Sequence, residues 1–350
     1  MTTSIAGRPI GLDEPPFVIA EISGNHAGSI DKALRLVDAC AEAGVDAVKL
    51  QTYTADTMTL DLEGPDFLVS EASSLWRGEK LYDLYDRAHT PWEWHEEIFD
   101  CATDKGLIAF SSAFDQASVD FLVELGAPCI KIASFENVDL PLIQAAAGTG
   151  KPIIISTGMA SKEEIQAAID TARTHGCTDL ALLKCTSAYP APVEDANLRT
   201  IHDLRDWSGC EVGLSDHSLG VGVAVASVAF GATVIEKHIT MDRSDDGVDS
   251  EFSMTPDSMR LLVQEVNDAW RALGQVHYGP TASDESSLKY RRSLYFVRPL
   301  AAGSVVGRDD IRSIRPGFGL KPRHLEEVLG RTLAHEVAVG DRVTWEAFER

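Results

Sequence analysis

The stretches Gly213-Leu-Ser-Asp-His217 and Thr233-Val-Ile-Glu-Lys-His238 decide the fold, because each is a short apolar run that ends in polar residues. That pattern is typical of a buried parallel strand that leads into a loop. Side chains alternate along a strand, so the polar residue two places before each histidine shares its face. A lone histidine is more often a hydrogen-bonded core residue. Here the polar partner on each face favours two imidazoles, His217 and His238, converging on one divalent ion.

The same pattern of a short apolar run recurs along the chain and predicts a (β/α)8 barrel. Helical periodicity separates the later runs, for example at 161–174 and 220–230. Eight strands, each followed by a helix or loop, are the composition of such a barrel. An open doubly wound sheet is the alternative, but Ser23-Gly-Asn-His-Ala-Gly28 lacks the glycine spacing which that fold wants after its first strand. The predicted strands are 17–22, 46–51, 107–112, 129–133, 152–156, 179–184, 211–214 and 233–238.

The chain is long for one domain, and a polar segment that contains Gly, Pro and Ser begins near residue 275. We expect a catalytic barrel over 1–274, a linker over 275–288 and a small, mostly β module over 289–350. Within the barrel, 52–90 has the composition of a long elaborated loop, and such loops are often functional. The predicted strands of the small module are 293–297, 304–306, 311–314 and 337–343.

Charge and composition exclude several classes of function. A net charge of −23 argues against nucleic acid or an anionic membrane as partner. No apolar run is long enough to span a bilayer, and the N-terminus lacks the pattern of a secretion signal. The six cysteines show no C-x-x-C spacing and have the setting of reduced thiols. We therefore expect a cytoplasmic protein.

Polar residues gather at the predicted carboxyl ends of the strands, where the chemistry of a barrel is placed. Lys49 and Lys131 lie inside apolar strands, and a buried lysine is costly unless it is paired. Two structural Lys–Glu pairs are one explanation, but the accompanying hydroxyls favour a small anionic ligand such as a phosphate or carboxylate. The other strand-end residues are Glu21, Asn25, His26, Gln51, Ser111, Ser112, Ser134, Glu136, Ser156, Thr157, Lys184, Thr186, Ser187, Tyr189, Ser215 and Glu236.

At these residues the sequence resembles the sialic acid synthase family. The resemblance implies a (β/α)8 barrel that condenses phosphoenolpyruvate with an amino sugar, followed by an SAF (antifreeze-like) domain. In the small module, Ile314-Arg-Pro-Gly-Phe-Gly319 is similar to the segment that closes over the partner subunit's active site in that family. The barrel motifs that carry the resemblance are Ile19-Ala-Glu-Ile-Ser-Gly-Asn-His-Ala-Gly28, Val48-Lys-Leu-Gln51, Ile130-Lys-Ile-Ala-Ser134, Ser156-Thr-Gly-Met159, Gly213-Leu-Ser-Asp-His217 and Ile235-Glu-Lys-His238.

Within the family, the likeness is greatest to the branch that uses 2,4-diacetamido-2,4,6-trideoxy-L-altrose. Four segments carry this likeness, and in one of them Lys184 stands where sialic acid synthases proper usually have histidine. Synthases that apply the same chemistry to another sugar are the first alternative, and a non-catalytic carbohydrate-binding protein is a second. The segments are Leu81-Tyr-Asp-Leu-Tyr-Asp-Arg-Ala-His-Thr-Pro-Trp92, Ser134-Phe-Glu-Asn-Val-Asp-Leu-Pro-Leu142, Lys184-Cys-Thr-Ser-Ala-Tyr-Pro-Ala-Pro192 and Arg291-Arg-Ser-Leu-Tyr295.

The resemblance also implies roles for single residues. His217 and His238 would bind a divalent metal, Mn2+ first, with Mg2+ or Co2+ as alternatives. Glu136 would act as an acid or base, and Arg315 would reach the active site of the other chain in a domain-swapped homodimer. The residues implied for phosphoenolpyruvate are Lys49, Ser112, Lys131, Ser134, Ser156, Ser187 and Ser215, and those for the sugar are Glu21, Gln51, Tyr189 and Asp249.

Overall fold

The computed structural model describes residues 3–70 and 75–349. The chain divides into two compact units, Met1–Gly274 and Gln275–Arg350. Residues 71–74, inside the long loop predicted over 52–90, lie outside the described residues, as do the two ends of the chain. Within the described ranges, no helix combines the length and apolar character that a membrane crossing requires.

The first unit is a closed barrel of eight parallel strands, which confirms the predicted fold class. Its last strand pairs with its first, so that His238 lies opposite Glu21 in the register. Every barrel strand predicted from the sequence is present, with ends that differ by at most one residue. The strands are β3 (Phe17–Glu21), β4 (Ala47–Thr52), β5 (Ile108–Ala113), β6 (Ile130–Ile132), β7 (Ile153–Ser156), β8 (Leu180–Cys185), β9 (Glu211–Ser215) and β10 (Val234–His238).

Helices follow the strands and cover the barrel with their apolar faces. The first of them shows how the sequence fixes the ends: Ser29 accepts a hydrogen bond from the Lys32 amide at its start, and Gly44 ends it in the left-handed region. The helices of this unit are α1 (Ile30–Ala43), α2 (Ala55–Met58), α3 (Leu81–Ala88), α4 (His95–Asp104), α5 (Gln116–Glu124), α6 (Leu140–Gly148), α7 (Lys162–Thr174), α8 (Arg199–Ser208), α9 (Gly222–Ala229) and α10 (Pro256–Leu273).

An N-terminal hairpin closes the amino end of the barrel, and the sequence did not predict it. Its strands are β1 (Thr3–Ile5) and β2 (Arg8–Ile10). Ile5 and Ile10 are fully buried and belong to the same apolar cluster as the inward-facing side chains of the strands. The Arg8 guanidinium lies 3.1 Å from the carboxylate of Asp46, which precedes β4. The hairpin therefore completes the core at the end opposite the polar strand ends.

The segment predicted as a long loop contains regular structure. Helices α2 and α3 lie within it. Between them the chain turns back on itself: the Gly78 amide donates to the Val69 carbonyl at 2.8 Å, and Leu68 forms an isolated bridge with Lys80. The described parts of the segment thus form a structured insertion between β4 and α4.

The second unit has its own small apolar core. Strands β11 (Ser293–Phe296) and β12 (Ile311–Ile314) pair antiparallel. The strands predicted over 304–306 and 337–343 are wrong in extent, because each region forms only isolated bridges, such as Val305 with Thr332. Such short pairings arise where tight turns allow one or two ladder contacts before the chain changes direction. A short helix, α11 (Leu325–Val328), completes the unit.

The hairpin yields a test of the barrel's stability. We expect Ile5→Ala to destabilise the barrel by about 2–5 kcal/mol, because it leaves a cavity in a fully buried cluster. The exposed Leu12, just after β2, is the control, and Leu12→Ala should change the stability by less than about 0.5 kcal/mol. Urea unfolding followed by circular dichroism measures both, and equal midpoints for the two variants would contradict a sealing role.

Candidate active site

A buried ion-pair cluster lies at the carboxyl ends of β3, β4 and β10. The Lys49 ammonium contacts the Glu21 carboxylate, lies 3.6 Å from Glu236 Oε1 and donates to Ser112 Oγ at 3.1 Å. Burial disfavours the charged ammonium, but the two carboxylates outweigh it and raise the pKa of Lys49. Burial raises the pKa of Glu21, whereas that of Glu236 falls because the nearby lysines and His238 outweigh its burial.

Lys131, from the neighbouring strand β6, has a different environment. Its ammonium is almost completely buried and donates to Ser156 Oγ at 2.7 Å and to the Ile132 carbonyl at 2.8 Å. In the described part of the chain no carboxylate forms an ion pair with it. Burial lowers its pKa. Of the two Lys–Glu pairs that were the alternative to an anion site, the structure contains the one at Lys49 but none at Lys131.

A ring of hydroxyl groups continues from Lys131 around the barrel mouth. The Gly158 amide donates to Ser134 Oγ at 3.2 Å. A Cβ atom at Gly158 would lie 2.4 Å from Ser187 Oγ and 2.7 Å from Ser134 Oγ, so only glycine lets both hydroxyls approach the backbone here. Ser215 Oγ donates to Glu236 Oε1 at 3.3 Å. Hydroxyl groups therefore lie beside Lys131 and beside Glu236 at the barrel mouth, and we take the space among them as the candidate anion pocket.

The two predicted metal ligands meet on the other side of this space. The rings of His217 and His238 lie 5.3 Å apart between centroids. His217 Nδ1 is 3.0 Å from the Thr186 carbonyl, which fixes the proton on that nitrogen and leaves Nε2 with its lone pair. His238 Nδ1 is buried and has no hydrogen-bond partner among the described residues. A divalent ion would satisfy these imidazoles, so the residues present fit a metal.

The site offers a metal fewer protein ligands than a structural site does. No cluster of three or more His, Cys, Asp or Glu suited to a metal occurs in residues 3–70 and 75–349. Two imidazoles would leave coordination positions for water and substrate, as in catalytic metal sites. Asp249 Oδ2 lies 3.5 Å from His238 Nδ1 and accepts a hydrogen bond from Ser23 Oγ, which keeps its carboxylate beside the ring.

A second buried ion pair, on the outer face of the strands, holds the two histidines in place. Lys237 Nζ donates to Asp216 Oδ2 at 2.8 Å and to the Ser218 carbonyl at 2.7 Å. The Asp216 amide also donates to the Glu236 carbonyl at 2.9 Å. Because these residues directly precede or follow the histidines, the pair joins the two strand ends that carry them. The sequence analysis assigned no role to either residue.

Comparison with known proteins agrees with this geometry. Residues 36–278 match the NeuB family, and residues 291–349 match the SAF domain. The chain belongs to the NeuB family. It is 42% identical over 332 residues to a pseudaminic acid synthase of Campylobacter jejuni, covering 94% of this chain and 95% of the relative.

Two further relatives lie within the same NeuB family. An N,N'-diacetyllegionaminic acid synthase of Legionella pneumophila is 36% identical, covering 98% of this chain and 97% of the relative. A crystal structure of N-acetylneuraminic acid synthetase from Leptospira borgpetersenii, in complex with citrate, superposes with a TM-score of 0.73 at 31% identity, covering 83% of this chain and 96% of that one. The resemblance predicted from the motifs is therefore confirmed.

The remaining predicted site residues lie partly in the barrel and partly in the second unit. Gln51 is partly exposed at the end of β4, and Tyr189 packs on His217 with ring centroids 4.5 Å apart. Glu136 lies in the turn after β6. Arg315 belongs to the second unit, where it is exposed after β12 and forms no ion pair among the described residues.

Aromatic residues complete the NeuB site, and the sequence analysis named only one of them. Phe252 is buried against both histidine rings, at 6.2 Å from His217 and 5.1 Å from His238. Tyr53 is buried just after β4, and burial together with the nearby carboxylates raises its pKa. Phe252 lies well beyond the end of β10, so strand periodicity carries no signal for it, whereas Tyr53 comes directly after β4.

Glu136 has a titration that can be measured. Burial raises its pKa to about 7 from its ordinary value of 4.5, against the opposing charge of Lys131, and Oε2 is buried without a hydrogen-bond partner. A carboxyl with this pKa changes charge near neutral pH, which suits an acid or base in catalysis.

This titration predicts a pH-dependent stability. The folded chain holds the Glu136 proton more tightly than the unfolded chain, so the contribution to stability declines as pH rises from about 4.5 to about 7. Glu136→Gln stays neutral, and its melting temperature relative to wild type should rise by on the order of 5 °C between pH 5 and pH 8. Exposed Glu163→Gln is the control. A constant difference across this range would show that Glu136 is ionised in the folded chain.

Proposed function

We propose that this chain is a pseudaminic acid synthase. It joins phosphoenolpyruvate to 2,4-diacetamido-2,4,6-trideoxy-L-altrose and water, giving pseudaminic acid and phosphate. The observation that carries this proposal is the 42% identity to pseudaminic acid synthase over nearly the whole chain. The anion pocket and the paired histidines, found at the expected barrel end, support the same conclusion.

The anion pocket would hold phosphoenolpyruvate. Lys131 supplies a buried ammonium with which no carboxylate of the described residues forms an ion pair, and Lys49 supplies a second one nearby. Ser134, Ser156 and Ser187 add hydroxyl donors at the same barrel end. These donors are fixed before the ligand arrives, which is how a protein stabilises charge during phosphate departure.

The histidine side would hold the sugar aldehyde. His217 and His238 would bind the divalent metal, for which we propose Mn2+, and the bound ion would polarise the aldehyde oxygen as a Lewis acid. Asp249 and Glu21 lie beside these rings and would receive hydroxyl groups of the open-chain sugar. The aldehyde carbon would thereby face C3 of the enol across the barrel mouth.

The bond changes follow from this arrangement. A bond forms between C3 of phosphoenolpyruvate and C1 of the sugar, and the electron pair of the aldehyde moves to its oxygen, which takes up a proton. Water then adds at C2 and loses a proton. The bond between C2 and the phosphate oxygen then breaks while the C2 hydroxyl loses its proton and becomes the ketone, and phosphate leaves with the electron pair of the broken bond. Glu136, with its pKa of about 7, is our candidate for the group that moves a proton near the phosphate.

Two alternatives deserve direct comparison. A legionaminic or sialic acid synthase would use the same anion pocket with another sugar, but the identity is lower to the legionaminic acid synthase, 36% against 42%. A non-catalytic carbohydrate-binding protein has no need of buried lysines beside a two-histidine centre. Phosphate release distinguishes catalysis from binding.

A panel of sugars tests the function. With phosphoenolpyruvate and Mn2+, we expect kcat/KM for the diacetamido altrose to exceed that for N-acetylmannosamine by at least about 10-fold, because one apolar group can supply this much discrimination. Phosphate release and product mass are the measurements. Lys131→Met should raise the KM for phosphoenolpyruvate, whereas exposed Lys162→Met should not. Comparable kcat/KM for both sugars would refute the substrate assignment.

Removal of the metal tests the proposed role of His217 and His238 as metal ligands. Chelation should abolish phosphate release, and Mn2+ should restore it. His217→Ala or His238→Ala should lower both activity and bound metal by about 100-fold or more while leaving the fold intact, and exposed His175→Ala should change neither. Metal analysis and circular dichroism accompany the assay. Turnover that resists the chelator would exclude this mechanism.

We also propose a domain-swapped homodimer in which Arg315 enters the partner's site. Two observations support it: Arg315 is exposed, and no ion pair in its own module occupies it within the described residues. The predicted linker is not fully extended, because Ala282–Tyr290 is a 3-10 helix. This part of it spans about 2 Å per residue instead of about 3.3 Å.

Complementation tests the swap. An Arg315→Ala chain and a His217→Ala chain should each be inactive, but their mixture should recover part of the activity. In a swapped heterodimer one site carries both defects and the other carries none. The control is a mixture of His217→Ala with His238→Ala, whose metal sites remain defective in either arrangement. A lack of recovery in proven heterodimers of the first pair would mean that each chain completes its own site.

A further inference from the structure

Trp76 brings the insertion between β4 and α4 to the metal side of the site. Its indole nitrogen donates to the Val248 carbonyl at 3.0 Å, next to Asp249. Its ring centroid lies 6.0 Å from that of Tyr189, which in turn lies on His217. The insertion is thereby tied to two other loops at the carboxyl end of the barrel.

These contacts form a continuous aromatic wall, which we define as Trp76, Tyr189 and Phe252. Tyr189 and Phe252 are 5.3 Å apart between ring centroids. Phe252 extends the wall to His238. The three residues come from three different loops, those that follow β4, β8 and β10. The wall lies beside the two histidines, whereas the buried lysines lie among the hydroxyl groups.

The aromatic wall presents an apolar surface, which the anion pocket does not. Aromatic side chains present large apolar surfaces at a small cost in conformational entropy. A methyl or acetyl group gains free energy when it is buried there, at about 25 cal/mol per Å2, whereas a hydroxyl group loses hydrogen bonds with water. Such a wall therefore favours sugars whose polar groups have been replaced or acylated.

We propose that the aromatic wall, and Trp76 in particular, selects sugars that carry methyl and acetamido groups over sugars that carry hydroxyls at the same positions. This inference rests on the proposed function, because it assumes that the open-chain sugar lies at the histidines. It gives the insertion a role in choosing the substrate, and it makes Trp76 a specificity-determining residue.

The insertion is built to hold Trp76 in this place. Lys80 Nζ donates to Asp61 Oδ1 at 2.7 Å, joining the segment that carries Trp76 to the chain before it. At its other end α3 packs close to the loop after β3: a Cβ on Gly24 would lie 3.0 Å from the Ala88 carbonyl oxygen. The wall is therefore supported from both sides of the insertion.

The test compares two sugars with three variants of the full-length, metal-loaded chain. We expect Trp76→Ala to lower kcat/KM for the diacetamido altrose by about 10–100-fold, mostly through KM. The KM for phosphoenolpyruvate should stay within about twofold. N-acetylmannosamine should lose less, so the selectivity ratio falls. Trp76→Phe keeps an apolar ring and should retain most of the ratio, and Leu75→Ala, at an exposed neighbour, should leave it unchanged.

The two proposals fail in different measurements. If wild type releases no phosphate with the diacetamido sugar, the proposed function is wrong. The proposal for the aromatic wall, which depends on that function, is then wrong as well. If wild type uses that sugar but Trp76→Ala keeps the selectivity ratio within twofold, the proposed function stands and the wall is overturned. Equal losses for both sugars, with a raised KM for phosphoenolpyruvate and normal circular dichroism, would also overturn selectivity, because they indicate general support of the site.

Discussion

The site depends on one ammonium group, that of Lys49 on β4, which contacts carboxylates from the adjacent strand β3 and from β10, the next strand beyond it in the barrel. Removing these charges from water is expensive, and the cost is recovered only when partners and geometry are fixed. The cluster therefore fixes the register of β3, β4 and β10 at their polar ends. Lys131 lies nearby, and among the described residues no carboxylate forms an ion pair with it, so its ammonium is more available to a ligand than that of Lys49.

The register that satisfies Lys49 also places the histidines. His238 follows Glu236 by two residues and shares its inward face, and it lies opposite Glu21 on β3. The outer face of the same strand ends is used by Lys237, which pairs with Asp216. Inner and outer faces thus carry one ion-pair system each. Side chains on both faces of β10 form ion pairs at the same level of the barrel, and this makes the site rigid.

Much of this could be predicted from the sequence, for a physical reason. Buried parallel strands are continuous apolar runs, and a polar residue at the end of such a run can only face the site or its outer support. That logic found Lys49, Lys131, His217 and His238. It could not find Trp76 or Phe252, whose roles depend on contacts between loops far apart in the chain. The N-terminal hairpin was missed because its two short strands carry almost no periodicity.

The sealing hairpin has a consequence for synthesis on the ribosome. Ile5 and Ile10 are made before any strand of the barrel, but the interior they fill closes only when β10 pairs with β3. At the usual rates of translation, the chain must wait on the order of ten to fifty seconds before residue 238 has been added. During this interval the first-made apolar side chains lack their final partners. During synthesis, the hairpin can therefore gain its final contacts only after the last strand of the barrel has been made.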